Sequence, residues 1–595
     1  MRSTMQQMLS SVAIAVCLLA FLAASALGSP GELDPTFTTG AGFNGTVTAI
    51  AVQSDGKIVV GGGFSTYAST PVLHVARLNA DGTLDRSFVG LTGSDSGVQA
   101  IAVQPDGKII IGGSFHCVGA TDSFDATTCV ATGGAIRNGI ARLNSDGTLD
   151  TGYALPAVSG FDGIVWTLAL QADGKVIVGG AFAHGFGTPV AVHSIARLDT
   201  DGRVDPTFVQ TGAGLDGSVF TTAIQPDGKV LIGGDFTHLE GSSMPSVARL
   251  NSNGGMDATF APTGTGLNGL VQSLALQPDG NVVVGGFFTG YNAVARSHLA
   301  RLTSTGGLDT TFAPTTGLAG AGFSTYVALQ PNGKIVVAGD FTGYNGTARA
   351  GLAQVLSDGS LDSTFAVGTG LNGSAGVVTV AAGSVLVGGN FTTYNGATRG
   401  RLARIYGTAS LALSKLGTGT STVTSAAAGI ACGTTCSAVF DQASSVTLTA
   451  TAAAGSTFTG WGGACSGTSA TCVVTMSAAV AVTATFAPDS AFTVTKVKAK
   501  TSVGRIVLTS TITVPGAGAI AQTATTKKGK KLTTRCSTKK VASKADTYKL
   551  TCTIGKRGRA ALRKASLALT IRTAFTPTNG SLAAETQALK VKRFR

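Results

Sequence analysis

The side chains able to do chemistry in this 595-residue chain are cysteines in couples, a few histidines and a dense run of lysine and arginine near the end. Of nine cysteines, the eight beyond Cys17 fall in sequence-local couples: Cys117 with Cys129, Cys432 with Cys436, Cys465 with Cys472, and Cys536 with Cys552. In an oxidising compartment such couples read as disulfides. As thiolates, Cys432, Cys436, Cys465 and Cys472 have the spacing of a zinc set, but their Gly/Ser/Thr-rich surroundings are those of loops. Among the six histidines, His184 and His193 share one loop and lack a third ligand. The segments of the type DTDGRVD (199–205) resemble part of a calcium loop without its distal Glu, and a tight turn already accounts for their Asp and Gly. No HExxH, GxSxG or phosphate-cradling GxxxxGK[ST] occurs. The expectation is a non-enzyme without catalytic residues, cofactor or metal.

The cationic candidates are Lys527, Lys528, Lys530, Lys531, Arg535, Lys539, Lys540, Lys556, Arg557, Arg559, Arg563 and Lys564. Such a run points to a polyanion, and the start of the chain decides which kind. Arg2, the apolar stretch SSVAIAVCLLAFLA (10–23) and the A-x-A of Ala24 and Ala26 read as a secretory signal peptide, residues 1–26. An uncleaved anchor is the competing reading, disfavoured by the short apolar stretch and the small residues that follow it. No later apolar run approaches the ~18 residues of a span, so no transmembrane segment is expected after cleavage. For a secreted or envelope-associated protein the accessible polyanions are cell-wall polymers, acidic polysaccharides or lipid headgroups, and nucleic acid is not an expected partner. The competing reading is a solvated face that keeps the protein soluble.

Composition constrains the elements that must position these groups. With 83 glycines and only 12% charged residues the chain is rich in turns, and its 44% hydrophobic residues suffice for a core. Residues 32–405 are a repeat. AVQSDGKIVVGGGF (51–64) returns at 102–115, 169–182, 223–236 and 275–288, and in weaker form at 328–341 and 380–391. The period near 50 and four strand-like runs per unit describe a β-propeller blade. The first run ends at P-D-G and pairs back as KIVVGGxF. A third, VARL (75–78), turns at NADG and returns as LDRSF (84–88). That second turn sets Arg77 opposite Asp85, Arg142 opposite Asp150 and Arg197 opposite Asp205, read as structural pairs contributing well under about 1 kcal/mol where exposed.

LDPTF (33–37) precedes the first unit, whereas the seventh ends at LARI (402–405) without its own LDxxF. The array is predicted to close as a seven-bladed ring with the N-terminal strand completing the last blade, which removes the exposed edges of an open array. Strand direction puts the PDG and NxDG turns at one end, uniform and short. The other end carries the length variation, 116–138 and 183–194 above all. That variable face is the candidate surface for a protein or glycan ligand, unless the insertions are only tolerated decoration.

The AVQPDGKIVVGGxF...ARLNxDGxLDxxF pattern resembles the bacterial delta-60 repeat, which implies a propeller and export but no particular chemistry. The sixth copy departs at Asn332 and at AQV (353–355), the seventh at AAG in place of PDG. Residues 411–487, with Gly460 and Trp461 at their centre and VTATF near their end, resemble the divergent internalin-B-type repeat of bacterial surface proteins, which implies a spacer or adhesive β module. Residues 489–595 hold 23 Lys+Arg against three acids, Asp489, Asp546 and Glu585. The middle module has one of each sign, so the remainder carries 19 cations against 26 acids. An acidic propeller is therefore joined to a basic tail, in which alternating Val/Thr runs, a Pro-Gly turn at 515–516 and the Cys536/Cys552 couple predict an immunoglobulin-like sandwich. GKRGRAALRKAS (555–566) reads as a short crossing helix. The chain as a whole is predicted to be all-β: a seven-bladed propeller followed by two small β domains. Besides the non-catalytic binding role, two functions are compatible with this reading: a propeller enzyme acting on glycans, which needs two carboxylates from different blades, and a structural envelope protein without a ligand.

Overall fold

The computed structural model describes residues 29–592 apart from 89–95, 120–128, 131–133, 154–159, 185–191, 211–213, 261–263, 321, 323, 427–428, 434, 443, 477–478, 503–504, 529–530, 556–559, 561–565 and 579. The expected signal peptide (1–26), most of the expected 555–566 helix, and Lys530, Lys556, Arg557, Arg559, Arg563 and Lys564 lie outside the described residues. The chain divides into two compact units, residues 1–408 with 441–443, and residues 409–440 with 444–595.

The first unit is the seven-bladed propeller. Each blade is a three-stranded antiparallel sheet, in the first blade Val47–Val52, Ile58–Gly62 and Val75–Leu78. The turn between the first two strands is local chemistry. Gly56 has φ +84°, its N–H donates to the Gln53 carbonyl, and Asp55 Oδ1 accepts from the Lys57 N–H. The second strand is buried along its length because neighbouring blades cover both its faces. At Gly61 an added Cβ would lie 2.7 Å from Val98 Cγ1 of the next blade, so the GG of the repeat is what lets the blades close up.

Two features differ from the four-strand blade expected. The LDxxF run is not a full strand: it makes a single bridge, Leu84 to Leu78, and bends away. The cause is Asp85, whose Oδ1 accepts from the Ser87 N–H and whose carbonyl accepts from the Phe88 N–H, a turn that ends pairing at once. Beyond GGxF, the sequence pattern also leaves unannounced a two-residue hairpin, Thr66–Tyr67 with Thr70–Pro71 in the first blade. Its Tyr67 is buried and donates to the Gly82 carbonyl in the NxDG turn. Tyr291 does the same to Gly306, and Tyr344 to Gly359.

The N-terminal segment closes the ring. Leu33 bridges Ile405, and the Asp34 N–H donates to the Arg404 carbonyl at 3.0 Å. The substitution is more complete than a strand. Gly31 (φ +89°) donates to the Tyr406 carbonyl and Tyr406 to the Glu32 carbonyl, both at 2.9 Å, as Gly82 and Asn79 do within the first blade. The Tyr394 hydroxyl bonds the Gly31 carbonyl, so the seventh blade takes its turn glycine as well from the other end of the propeller. Phe43 and Val47 of the first blade share one core with Leu386 and Leu402 of the seventh.

In the second unit, a four-stranded sheet ordered Ser437–Asp441, Thr408–Leu416, Val480–Pro488, Ser456–Gly463 faces a three-stranded sheet of Ser421–Ser425, Ser445–Ala452 and Thr471–Thr475. Leu411, Leu448, Trp461 and Phe486 belong to their shared core, and Trp461 Nε1 donates to the Ser469 carbonyl at 2.8 Å. The remaining seven strands form a sandwich. One sheet is Thr493–Ser502, Arg505–Val514, Asp546–Ile554; the other is Lys531–Ala542, Gly518–Lys528, Leu567–Pro577, Ala583–Val591. Alternating Ile, Leu and Val of both sheets fill the space between them.

Candidate functional sites

At the turn end of the propeller the Arg/Asp pairs meet across the hairpin as the turn symmetry predicts, and they are almost entirely removed from water. Arg77 and Asp85 are each 7% exposed, and Arg77 Nε donates to Asp85 Oδ2 at 2.7 Å. The same bond joins Arg142 to Asp150 at 2.8 Å and Arg197 to Asp205 at 2.7 Å. Each guanidinium also lies over the aromatic ring of its own LDxx(F/Y) segment, 4.7 Å from Phe88, 4.3 Å from Tyr153 and 5.0 Å from Phe208. Its Nη1 reaches the next blade: Arg77 to the Ser145 carbonyl, Arg142 to Thr200, Arg197 to Ser252, Arg249 to Ser304, Arg301 to Ser357. Arg404 closes the circle onto Ala80. The lysine after PDG completes the set, Lys57 on Asp85 at 2.9 Å and Lys175 on Asp205 at 2.6 Å. Its place directly after the turn in five of the seven units was the available signal for it. Burial opposes ionisation of Asp85, yet the bonds from Ser87, Lys57 and Arg77 hold its carboxyl well below the usual range. Asp205 behaves likewise through Lys175, Thr207 and Arg197. These carboxylates are consumed in holding blade to blade and are not available for acid–base chemistry.

At the opposite end, loops are clamped one blade at a time. Asn44 Oδ1 accepts from the N–H groups of Ser65 and Thr66, Asn268 Oδ1 from Thr289 and Gly290, and Asn372 Oδ1 from Thr392 and Thr393. In the third and fourth blades the clamp is Asp162 and Asp216, and each also meets a histidine Nδ1 at 3.0 Å, His184 and His238. His184 is thus joined to Asp162. Among the described residues no three His, Cys, Asp or Glu side chains are grouped to hold a metal ion.

Between these loops the channel contains a cavity of about 200 Å³ lined from all seven blades. Six of the blades reach it by the same device. Their first strand carries a β-bulge, and the bulged residues are Thr48, Gln99, Trp166, Phe220, Gln272 and Gly376. A bulge re-aims the extra side chain out of the ladder, here into the channel. The sixth blade lacks the bulge and contributes Tyr326. Leu270 completes the lining, which among the described residues contains no carboxylate and no cation. The bulged residues are second or third in their strands, so the cavity lies toward the loop end. The spacing of the repeat did not reveal this site, but a varied position three residues before the near-uniform AVQPDGK was visible.

In the tail sandwich, Lys531, Lys539 and Lys540 stand exposed on the edge strand Lys531–Ala542, Lys527 and Lys528 at the end of its neighbour, and Arg535 is tied to Thr526 Oγ1 at 2.7 Å. They are not gathered into one patch, since Lys498, Lys500 and Lys549 are exposed on the other sheet. Among the described residues no tail cation is within ion-pair distance of an acid; Asp489 and Asp546 bond backbone N–H groups, and Glu585 bonds Gln587.

All four cysteine couples are disulfides: Cys117–Cys129, Cys432–Cys436, Cys465–Cys472 and Cys536–Cys552. The first pins the insertion of the second blade. The last ties the edge strand of one tail sheet to the edge strand of the other. Four disulfides belong to an oxidising, non-cytoplasmic setting, and no described helix is long and apolar enough to cross a membrane.

A family model described as "Domain of unknown function (DUF5122) beta-propeller" matches residues 53–88, 104–124, 128–153, 171–208, 225–260, 277–312, 330–365 and 383–405. The second and third segments are the two sides of the insertion in one blade. A model described as "Divergent InlB B-repeat domain" matches residues 420–490. No curated protein matches the chain. Similar solved structures include a DUF3823 family protein from Bacteroides ovatus (13% identity, 31% of this chain, 99% of that one, TM-score 0.14) and a tetra-tandem repeat from the extending region of a large adhesion protein (13%, 64%, 98%, 0.17). A third is DesR, a beta-glucosidase from Streptomyces venezuelae (16%, 18%, 15%, 0.12). At such TM-scores these likenesses carry no argument. Propeller repeats together with an internalin-type repeat mark a surface or binding protein.

Proposed function

We propose that this chain, whose residues 53–405 are DUF5122 beta-propeller repeats and whose residues 420–490 form a divergent InlB B-repeat domain, is an exported, non-catalytic binding or scaffolding protein of the cell surface, attached there by its basic terminal domain. The observation that carries this reading is the opposite use of charge in the two regions. In the propeller, Arg, Lys and Asp neutralise one another at the blade junctions. The tail has 23 cations and three acids, and its described cations find no acid within reach. Such a surface attracts polyanions through a field that salt screens over a Debye length of about 8 Å at physiological ionic strength. Among the described residues the channel cavity is lined without a carboxylate, whereas glycoside hydrolysis uses two.

The test uses the full mature chain. It is mixed with purified cell wall carrying its anionic polymers across a salt series, and with wall stripped of those polymers. Retention at low salt, release as salt rises and loss on stripped wall are expected. Absent binding, or binding indifferent to salt, retires the attachment.

A further inference from the structure

The channel cavity has a composition unlike any other part of the propeller. The residues flanking the bulge are nearly uniform from blade to blade, Val47, Val98, Val165, Val219 and Val271 on its N-terminal side, all buried between blades. The bulged residue itself differs in almost every blade. Packing therefore constrains its neighbours, and the channel alone sees the variation.

From the geometry we infer that this cavity is a binding site for a neutral, hydroxyl-rich ring, a single pyranose unit or the sugar tip of a glycan. Trp166 and Phe220, from adjacent blades, meet edge to face with centroids 6.0 Å apart and present an apolar wall of the kind that covers the C–H face of a sugar ring. Trp166 is one of two tryptophans in the chain, and its buried Nε1 has no hydrogen-bond partner among the described residues. Polar groups stand elsewhere on the rim. Gln272 Nε2 donates to the Tyr326 hydroxyl at 3.1 Å and Gln272 Oε1 accepts from the Thr325 N–H, which fixes that amide and leaves the Tyr326 O–H proton free to donate. Burial, reinforced by Asp340, pushes the Tyr326 phenol up to about 12, so it stays a donor. Gln99 lines the cavity and carries both an amide donor and an acceptor. Gly376 adds no side chain, which keeps the seventh side open. Apolar walls with a few placed polar groups are how small-molecule sites are built, and about 200 Å³ is below the range of about 300–1,000 Å³ typical of larger ligands, so one ring is what it admits. Without a charge among the described lining residues, a charged ring would lose its hydration for no compensating partner there.

This inference is independent of the tail, and the two fail separately. Trp461→Phe in the full mature chain leaves Trp166 as the sole tryptophan reporter. That protein is titrated with methyl glycosides of glucose, galactose, mannose and N-acetylglucosamine, and with methyl glucuronide as the charged comparator. A saturable emission change with at least one neutral glycoside is expected, with the glucuronide at least tenfold weaker. Adding Gln99→Leu, which keeps the volume and removes both polar groups, is expected to weaken binding at least fivefold. Calorimetry on Phe220→Ala, which keeps the native tryptophans, is expected to show a similar loss. No saturable response to any neutral glycoside overturns the inference, as does a preference for the glucuronide or indifference to both substitutions.

Discussion

The propeller and the tail sandwich are both β structures stabilised by alternating apolar side chains, but they treat charge in opposite ways. In the propeller an aspartate such as Asp205 is nearly buried between Arg197 and Lys175, and the arginine goes on to bond the next blade. In the tail, lysines such as Lys498, Lys539 and Lys549 stand on outer faces without acids, and the two sheets are joined instead by Cys536–Cys552. Charge inside a structure is a structural part that cannot be removed singly. Charge outside is free for a partner and costs the fold little.

Acid should separate the two regions most strongly. Asp85, Asp205 and Asp257 have carboxyls held below the usual range although burial works against it. A depressed folded-state value contributes stability that is complete above the unfolded aspartate value of about 3.9 and is lost as pH falls below it. Calorimetry of the full chain should show a propeller transition steady from neutral to mildly acidic pH and falling steeply below about pH 4. A transition insensitive to pH there would mean that the aspartates are not what binds the blades. Asp205→Ala at neutral pH leaves Arg197 and Lys175 facing each other without a counter-charge and should cost about 3–5 kcal/mol in denaturant unfolding. Replacing both Cys536 and Cys552 by Ser should lower the stability of the tail by about 2–4 kcal/mol and leave the propeller transition unmoved. Arg249→Gln copies into the fourth blade what the sixth already has at Gln354, where the side chain bonds Gln330, and it keeps Lys229 on Asp257 as the sixth keeps Lys334 on Asp362. The loss of one charged latch should cost about 1–3 kcal/mol. Smallest of all, Lys498→Ala should change stability by less than about 0.5 kcal/mol, while weakening retention on cell wall at low salt.

Much of this was readable from the sequence. The seven repeated turn glycines and the GG of six units announce turns and close-packed blades, and the orphan LDPTF at one end with LARI at the other announces the closure, because an unpaired edge must be covered. Arg77 opposite Asp85 follows from the symmetry of a turn about Asp81. The depth of that pair was not readable. Spacing says that two residues face each other across a hairpin, and only the approach of the next blade, made possible by Gly61, removes them from water. The channel was hidden for a related reason. A bulge is one residue of slippage, invisible to a pattern of period two, and it turns Trp166 and Gln99 toward residues of other blades some 50 or more positions away in the chain.

Sequence alone therefore determined the local rules of this protein: where strands turn, how many blades there are, which cysteines are near enough to pair, and where its basic residues accumulate. These depend on neighbours within a few residues and on simple counting. Tertiary structure decided which charges are buried and which remain outside, how far the N-terminal segment replaces the missing turn down to Gly31, and which side chains meet in the channel. Each of those depends on the distance between segments far apart in the chain, and that distance is set only when seven similar sheets pack round one axis.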